Sequence, residues 1–141
     1  MVARKVTQIT TFMKHYLVFG LVIALMVIQG VAGRGMIRVN ENENGKTIYL
    51  KIGDTLEVLL EGNPTTGYAW DVDQLDPAIL KRGESDFIPA VGGLGSAGTE
   101  MLRFEAIAAG KVVLKLHYKR SFENGISPLR YFRLSVVVKP S

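Results

Sequence analysis

Residues 111–120 read Lys-Val-Val-Leu-Lys-Leu-His-Tyr-Lys-Arg. Val112, Leu114, Leu116 and Tyr118 fall on every second position, with Val113, Lys115, His117 and Lys119 between them. Side chains alternate between the two faces of a β-strand, so this spacing gives one apolar face and one largely polar face. A helix would scatter the same residues around its axis. The segment therefore predicts a strand that covers a core on one side and meets solvent on the other. His117 is placed on the solvent side and reads as a surface residue rather than a general base or metal ligand.

The same period recurs on both sides of this segment. Ile48, Leu50 and Ile52 alternate with Tyr49 and Lys51. Leu56, Val58 and Leu60 alternate with Glu57 and Leu59, and Leu102, Phe104 and Ala106 alternate with Met101, Arg103 and Glu105. Phe132, Leu134, Val136 and Val138 alternate with Arg133, Ser135 and Val137. The punctuation suits short strands. Asn44-Gly45 and Gly53-Asp54 are turn dipeptides, Ala109-Gly110 is short enough for a hairpin, and Asp76-Pro77 can open one helical turn through Leu80. No long helix is expected after Gly35. The expected fold is all-β, two antiparallel sheets packed as a sandwich.

Ahead of that body lies a different composition. Residues 1–16 are basic and carry no acid, Leu17 to Ile28 is an unbroken apolar run, and Gln29-Gly30-Val31-Ala32-Gly33 supplies small residues. This is the pattern of a secretory signal. The run is short for a membrane span, which needs about 20 apolar residues. Residues 1–33 are thus read as a signal peptide or a retained membrane anchor, and residues 34–141 as one β-sandwich domain. Export through the secretory pathway is then expected, to a secreted, periplasmic or endolysosomal location, or to a membrane if the leader is kept.

The charge of +4 belongs to residues 1–34. Arg4, Lys5, Lys14 and Arg34 account for all of it, since the remaining 13 cations equal the 13 carboxylates. Without a basic excess in the body, nucleic acid is not expected as a partner. No membrane partner is expected once the leader is cleaved. The chain has no cysteine, which excludes disulfides, thiolate metal sites and a cysteine nucleophile. Scattered acids and two histidines, one of them in the leader, offer neither paired metal ligands nor a catalytic constellation. No cofactor and no enzymatic activity are expected.

Three loops depart from plain connections. Glu61 to Gly67 reads Glu-Gly-Asn-Pro-Thr-Thr-Gly, in which Asn63-Pro64 starts a turn, Pro64 fixes the backbone and Gly67 is free to take a positive φ. Tyr68, Ala69 and Trp70 come next, with Trp70 expected in the core at the loop's foot. Val91 to Gly98 reads Val-Gly-Gly-Leu-Gly-Ser-Ala-Gly. It is either a loose surface loop or backbone left bare for another chain to pair with. Tyr118 to Pro128 sets Arg120 and Phe122 at a strand end before a turn at Asn124-Gly125. They are either binding anchors or a folded-back ring and a solvated charge.

In this order the three loops resemble the chagasin family, protein inhibitors of papain-like cysteine peptidases. The family's Asn-Pro-Thr-Thr-Gly motif stands unchanged at Asn63, Pro64, Thr65, Thr66 and Gly67, followed by the aromatic Tyr68 and by Trp70. Its Gly-x-Gly-Gly motif corresponds to Gly95, Ser96, Ala97 and Gly98, with Ala97 replacing a glycine. Its Arg-Pro-Trp motif corresponds to Arg120, Ser121 and Phe122. The similarity spans about residues 38 to 139. It implies an immunoglobulin-like sandwich with the three loops side by side at one end. It also implies reversible, tight-binding inhibition. By the same resemblance the first loop is expected to enter the catalytic centre, the second to pair with the non-primed side of the cleft, and the third to pack on the primed side. Ala97 limits close backbone approach, and Phe122 is smaller than Trp and lacks its indole N–H. The resemblance implies a monomer acting on a papain-like cysteine peptidase. The alternative is an exported immunoglobulin-like binding or adhesion module with no inhibitory activity.

Overall fold

The computed structural model describes residues 33–92 and 95–141. All of the expected signal segment but Gly33 therefore lies outside the described residues, as do Gly93 and Leu94 within the second loop. The strands, in chain order, are β1 Met36–Val39, β2 Thr47–Lys51, β3 Thr55–Gly62, β4 Tyr68–Gln74, β5 Leu80–Pro89, β6 Gly98–Ala106, β7 Gly110–Arg120 and β8 Arg130–Lys139. They form two four-stranded sheets, β1-β3-β6-β5 and β2-β8-β7-β4. The alternating positions behave as their period dictates. Leu56, Val58 and Leu60 face Leu114, Leu116, Phe132 and Leu134 across a continuous core that also holds Phe104 and Trp70. The sandwich expected from the sequence is the fold. Among the described residues no helix is long and apolar enough to cross a membrane.

Four local expectations need correction. Ala109-Gly110 does not close a hairpin: β6 and β7 belong to different sheets, and the link carries the chain across the core. A short turn between alternating runs serves either purpose, and only the packing of the two faces selects the crossing. The pairing is also not wholly antiparallel. β1 lies parallel to β3 and β2 parallel to β8, each at a sheet edge. The detour from Val39 through the opposite sheet to Thr55 supplies the long crossover that parallel neighbours require.

Glu57 alternates onto the outer face, yet only 2% of it is exposed. Arg38 and Arg103 lie over it, their Nε atoms donating to its two oxygens at 2.6 and 2.9 Å. The two guanidiniums hold its carboxyl below the usual carboxylate range. His117 likewise faces outward but is 7% exposed, its Nδ1 3.3 Å from Asp73 Oδ1. Period two assigns a face; it does not say how deeply neighbouring long side chains will cover it.

The turn at Asp76-Pro77 forms as expected, with Leu80 N–H donating to Asp76 O at 3.0 Å. The strand that it opens, β5, has no alternating signature. All of it but Leu80 is exposed, because it is an edge strand with an irregularity between Arg82 and Ser85. Charged edges of this kind resist pairing with other chains.

Candidate functional site

β3 ends, β4 begins, β6 begins, β7 ends and β8 begins at one end of the sandwich, as the antiparallel registers β3–β6, β4–β7 and β7–β8 require. Three loops meet there. Loop 1 (61–67) passes from one sheet to the other, loop 2 (90–97) joins β5 to β6, and loop 3 (121–129) joins β7 to β8.

Loop 1 is the best braced. Pro64–Thr66 form one 3-10 turn capped by Asn63, whose Oδ1 accepts from Thr65 N–H at 3.2 Å and from Thr65 Oγ1 at 2.6 Å. Thr66 Oγ1 donates to Asn63 O at 2.6 Å. Gly67 closes the turn at φ 81°, a left-handed conformation that β-branched residues resist. Both hydroxyl hydrogens are thus spent inside the loop. Its exposed tip, Pro64 to Gly67, carries methyls, ring carbons and lone pairs, and no charge.

Loop 1 also holds its neighbours. Asn63 Nδ2 donates to Gly95 O of loop 2 at 3.1 Å, and Arg120 Nε, at the root of loop 3, donates to Thr66 O at 2.9 Å. Phe122 stands 69% exposed, with its ring edge against Gly67, where an added Cβ would sit 3.3 Å from Cε1. Arg120 is neither a free anchor nor a solvated charge. It lies 4.5 Å over the Tyr68 ring, and its Nη1 meets Glu123 at 3.0 Å.

Beneath the loops is a support of aromatic rings and guanidiniums. Tyr68 stacks on Tyr118 with centroids 5.4 Å apart, Trp70 lies 5.2 Å from Tyr118, and Arg130 covers both Tyr118 and Trp70. Glu61 O accepts from Trp70 Nε1 at 2.9 Å and from Arg130 Nη2 at 2.7 Å. Tyr118 Oη accepts from Asn63 N–H at 2.9 Å. Glu100 of β6 reaches across to the other sheet, where its Oε2 accepts from Trp70 N–H at 2.9 Å. Its Oε1 is buried with no partner among the described residues, and burial raises its pKa above the ordinary carboxylate value against the lowering effect of the Trp70 bond and Arg130.

The structure brings together Asn63, Pro64, Thr65, Thr66, Gly67, Gly95, Arg120 and Phe122 of the residues that the sequence points to. Ala97 and Ser121 are exposed nearby, and Ser96 is partly covered. Two are placed differently. Gly98 is buried inside β6, where its own neighbours Phe87 and Ile88 leave no room for a side chain. Tyr68 is sandwiched between Tyr118 and Arg120 and supports the surface instead of forming it. The supporting residues Glu100, Tyr118 and Arg130 escape the sequence reading. Their signal is present but faint: an inward-facing Tyr, Arg or Glu at a strand end needs a buried partner.

No nucleophile and base lie together here, and among the described residues no three His, Asp or Glu side chains are grouped to hold a metal. The geometry is that of a rigid, neutral projection. Residues 49–136 match the model of the chagasin family of peptidase inhibitors, I42. The chain is 29% identical over 103 residues to amoebiasin-2 of Entamoeba histolytica, covering 72% of this chain and 84% of that one. It is 31% identical over 88 residues to chagasin of Trypanosoma cruzi, covering 59% and 80%. The crystal structure of a cysteine protease inhibitor from Entamoeba histolytica superposes with a TM-score of 0.67 at 23% identity, covering 76% of this chain and 98% of that one.

Proposed function

The chain belongs to the chagasin family of peptidase inhibitors, and from that premise we propose that loops 1, 2 and 3 together block the active-site cleft of a papain-like cysteine peptidase. The protein is a cysteine peptidase inhibitor and not an enzyme, so the reading as an adhesion module without inhibitory activity falls away. One observation carries the loop assignment. The tip of loop 1, Pro64 to Gly67, is exposed and uncharged, and the loop is internally bonded and hydrogen-bonded to both of its neighbours. A projection with no rotamers left to freeze loses little entropy on entering a cleft, which favours tight, reversible binding. Thr65 and Thr66 at its tip are the residues that meet the catalytic centre. Gly95 to Ala97 and Arg120 to Phe122 flank it, and an interface of about 1,600 Å² is expected.

The mature inhibitor acts as a monomer, without cofactor or nucleic acid. The apolar run and the small residues after it support export, with cleavage near Ala32 or Gly33 or retention as an anchor. Mass spectrometry of the protein from its native source tests this, since an intact Met1 on a soluble form excludes cleavage. The decisive assay is titration of papain followed by residual activity. Activity falls in proportion to added protein up to one equivalent. Undiminished activity at large excess overturns the proposal.

A further inference from the structure

From Gly35 onward the chain is neutral as a whole, but its charges are not evenly spread. On the β1-β3-β6-β5 side, Arg38 and Arg103 are engaged by Glu57 and Asp86. On the outer face of β2-β8-β7-β4 the odd-numbered positions bring up Lys51, Lys111, Lys115, Lys119, Arg133 and Lys139, against only Asp71 and Asp73. Among the described residues, only Lys115 of those six cations has a carboxylate within ion-pairing distance, Asp73 at 2.9 Å. Residues 1–32, 93 and 94 contain no acid to pair with the others.

The registers make the arrangement costly. Lys51 stands directly opposite Lys139, and Lys115 opposite Arg133. Like charges facing each other across strands destabilise a sheet. Between the cations lie exposed Tyr49 and Tyr131, each with a lysine ammonium over its ring, Lys139 at 4.9 Å and Lys115 at 4.8 Å. Tyr49, Lys111, Val113 and Val137 line an open groove over β2, β8 and the start of β7.

We propose that this face rests on an anionic phospholipid surface. Lysines carry positive charge on long apolar stems, and tyrosines have an apolar body with a polar tip; both are side chains suited to the headgroup layer. Five of the six cations are lysines, point charges without the forked geometry that favours bidentate phosphate contacts on nucleic acid. The orientation also leaves the inhibitory end free. β7 runs from Lys111 on this face to Arg120 at the loops, a span of about 30 Å. Lys51, Lys111 and Lys139 gather at the end opposite the loops, so contact through them keeps loops 1 to 3 clear of the surface. The zero net charge of residues 35–141 averages over faces that only the fold separates.

Among the described residues, every strand and every core residue lies within residues 34–141, which form a compact unit, so this domain can be tested alone. The measurement is cosedimentation with phosphatidylcholine vesicles, with and without about one-third phosphatidylserine. Each cation near such a surface contributes roughly fivefold to partitioning. Lys51→Ser, Lys111→Ser and Lys139→Ser together should therefore weaken binding to the anionic vesicles about a hundredfold. About 0.5 M salt should release the parent domain. Papain inhibition should be unchanged by the triple substitution, so failure of the lipid proposal and of the inhibitor reading are separately visible. Equal binding to neutral vesicles, no binding to anionic ones, or an unaffected triple variant overturns the proposal. So does tighter binding to duplex DNA than to the vesicles.

Discussion

Arg120 Nε donates to the carbonyl of Thr66 at 2.9 Å across 54 positions of sequence, while its guanidinium lies on the Tyr68 ring. One planar cation thereby ties the root of loop 3 to the last residue of the loop 1 turn. Arg120→Ala should weaken inhibition of papain at least tenfold, which corresponds to about 1.4 kcal/mol. Arg120→Lys should not restore it, because an ammonium cannot both stack flat and donate along a fixed direction. The inhibition constants of the two variants decide this. A lysine variant as potent as the parent would show that charge alone matters.

Thr65 and Thr66 are exposed, and their hydroxyls donate only within the loop. Thr65→Glu with Thr66→Glu should leave the fold intact and abolish inhibition, since burying unpaired charge in a cleft costs several kcal/mol. Phe122→Ala should be milder, its ring lying beside the loop and not at its tip. Circular dichroism checks the fold and the inhibition constant checks the rest. A fully potent double variant would remove loop 1 from the interface.

Glu100 gives the sandwich a pH response. Burial raises its folded pKa above the ordinary carboxylate value, so the folded state holds this proton more tightly than the unfolded chain does. Its contribution is therefore most favourable in acid. It declines as pH rises from the unfolded value through the folded one. In Glu100→Gln that decline should vanish. The stability difference, variant minus parent, should shift in the variant's favour as pH increases across this window. Denaturant midpoints at a series of pH values measure it, and parallel curves for the two proteins would show that Glu100 titrates normally.

Trp70 is 5% exposed and donates from Nε1 to Glu61 O at the foot of loop 1. Trp70→Ala should cost roughly 3–5 kcal/mol in unfolding free energy. Trp70→Phe keeps much of the packing and loses the hydrogen bond, so about 1 kcal/mol of the loss should come from the bond. Denaturant unfolding of both variants checks this. An unchanged midpoint for the alanine variant would place the ring outside the core.

Which residues face the core is legible in the order of amino acids alone. Leu56, Phe104, Leu116 and Phe132 are buried where a period of two puts them, because strand geometry leaves a side chain only two directions. The shape of loop 1 is legible in the same way, since Asn63, Pro64 and Gly67 act on their own backbone within a few residues. Features that depend on residues far apart in the chain came only with the packed fold. The turn at Ala109-Gly110 crosses between sheets, β5 is a strand without any alternating pattern, and Glu57 and His117 are covered on a face that the period assigns to solvent. The bonds from Asn63 to Gly95 and from Arg120 to Thr66, and the gathering of lysines on one face, belong to the same class. Local chemistry fixes a residue's direction and its turn. Only packing two sheets together fixes its neighbours, and at this end of the molecule the neighbours make the site.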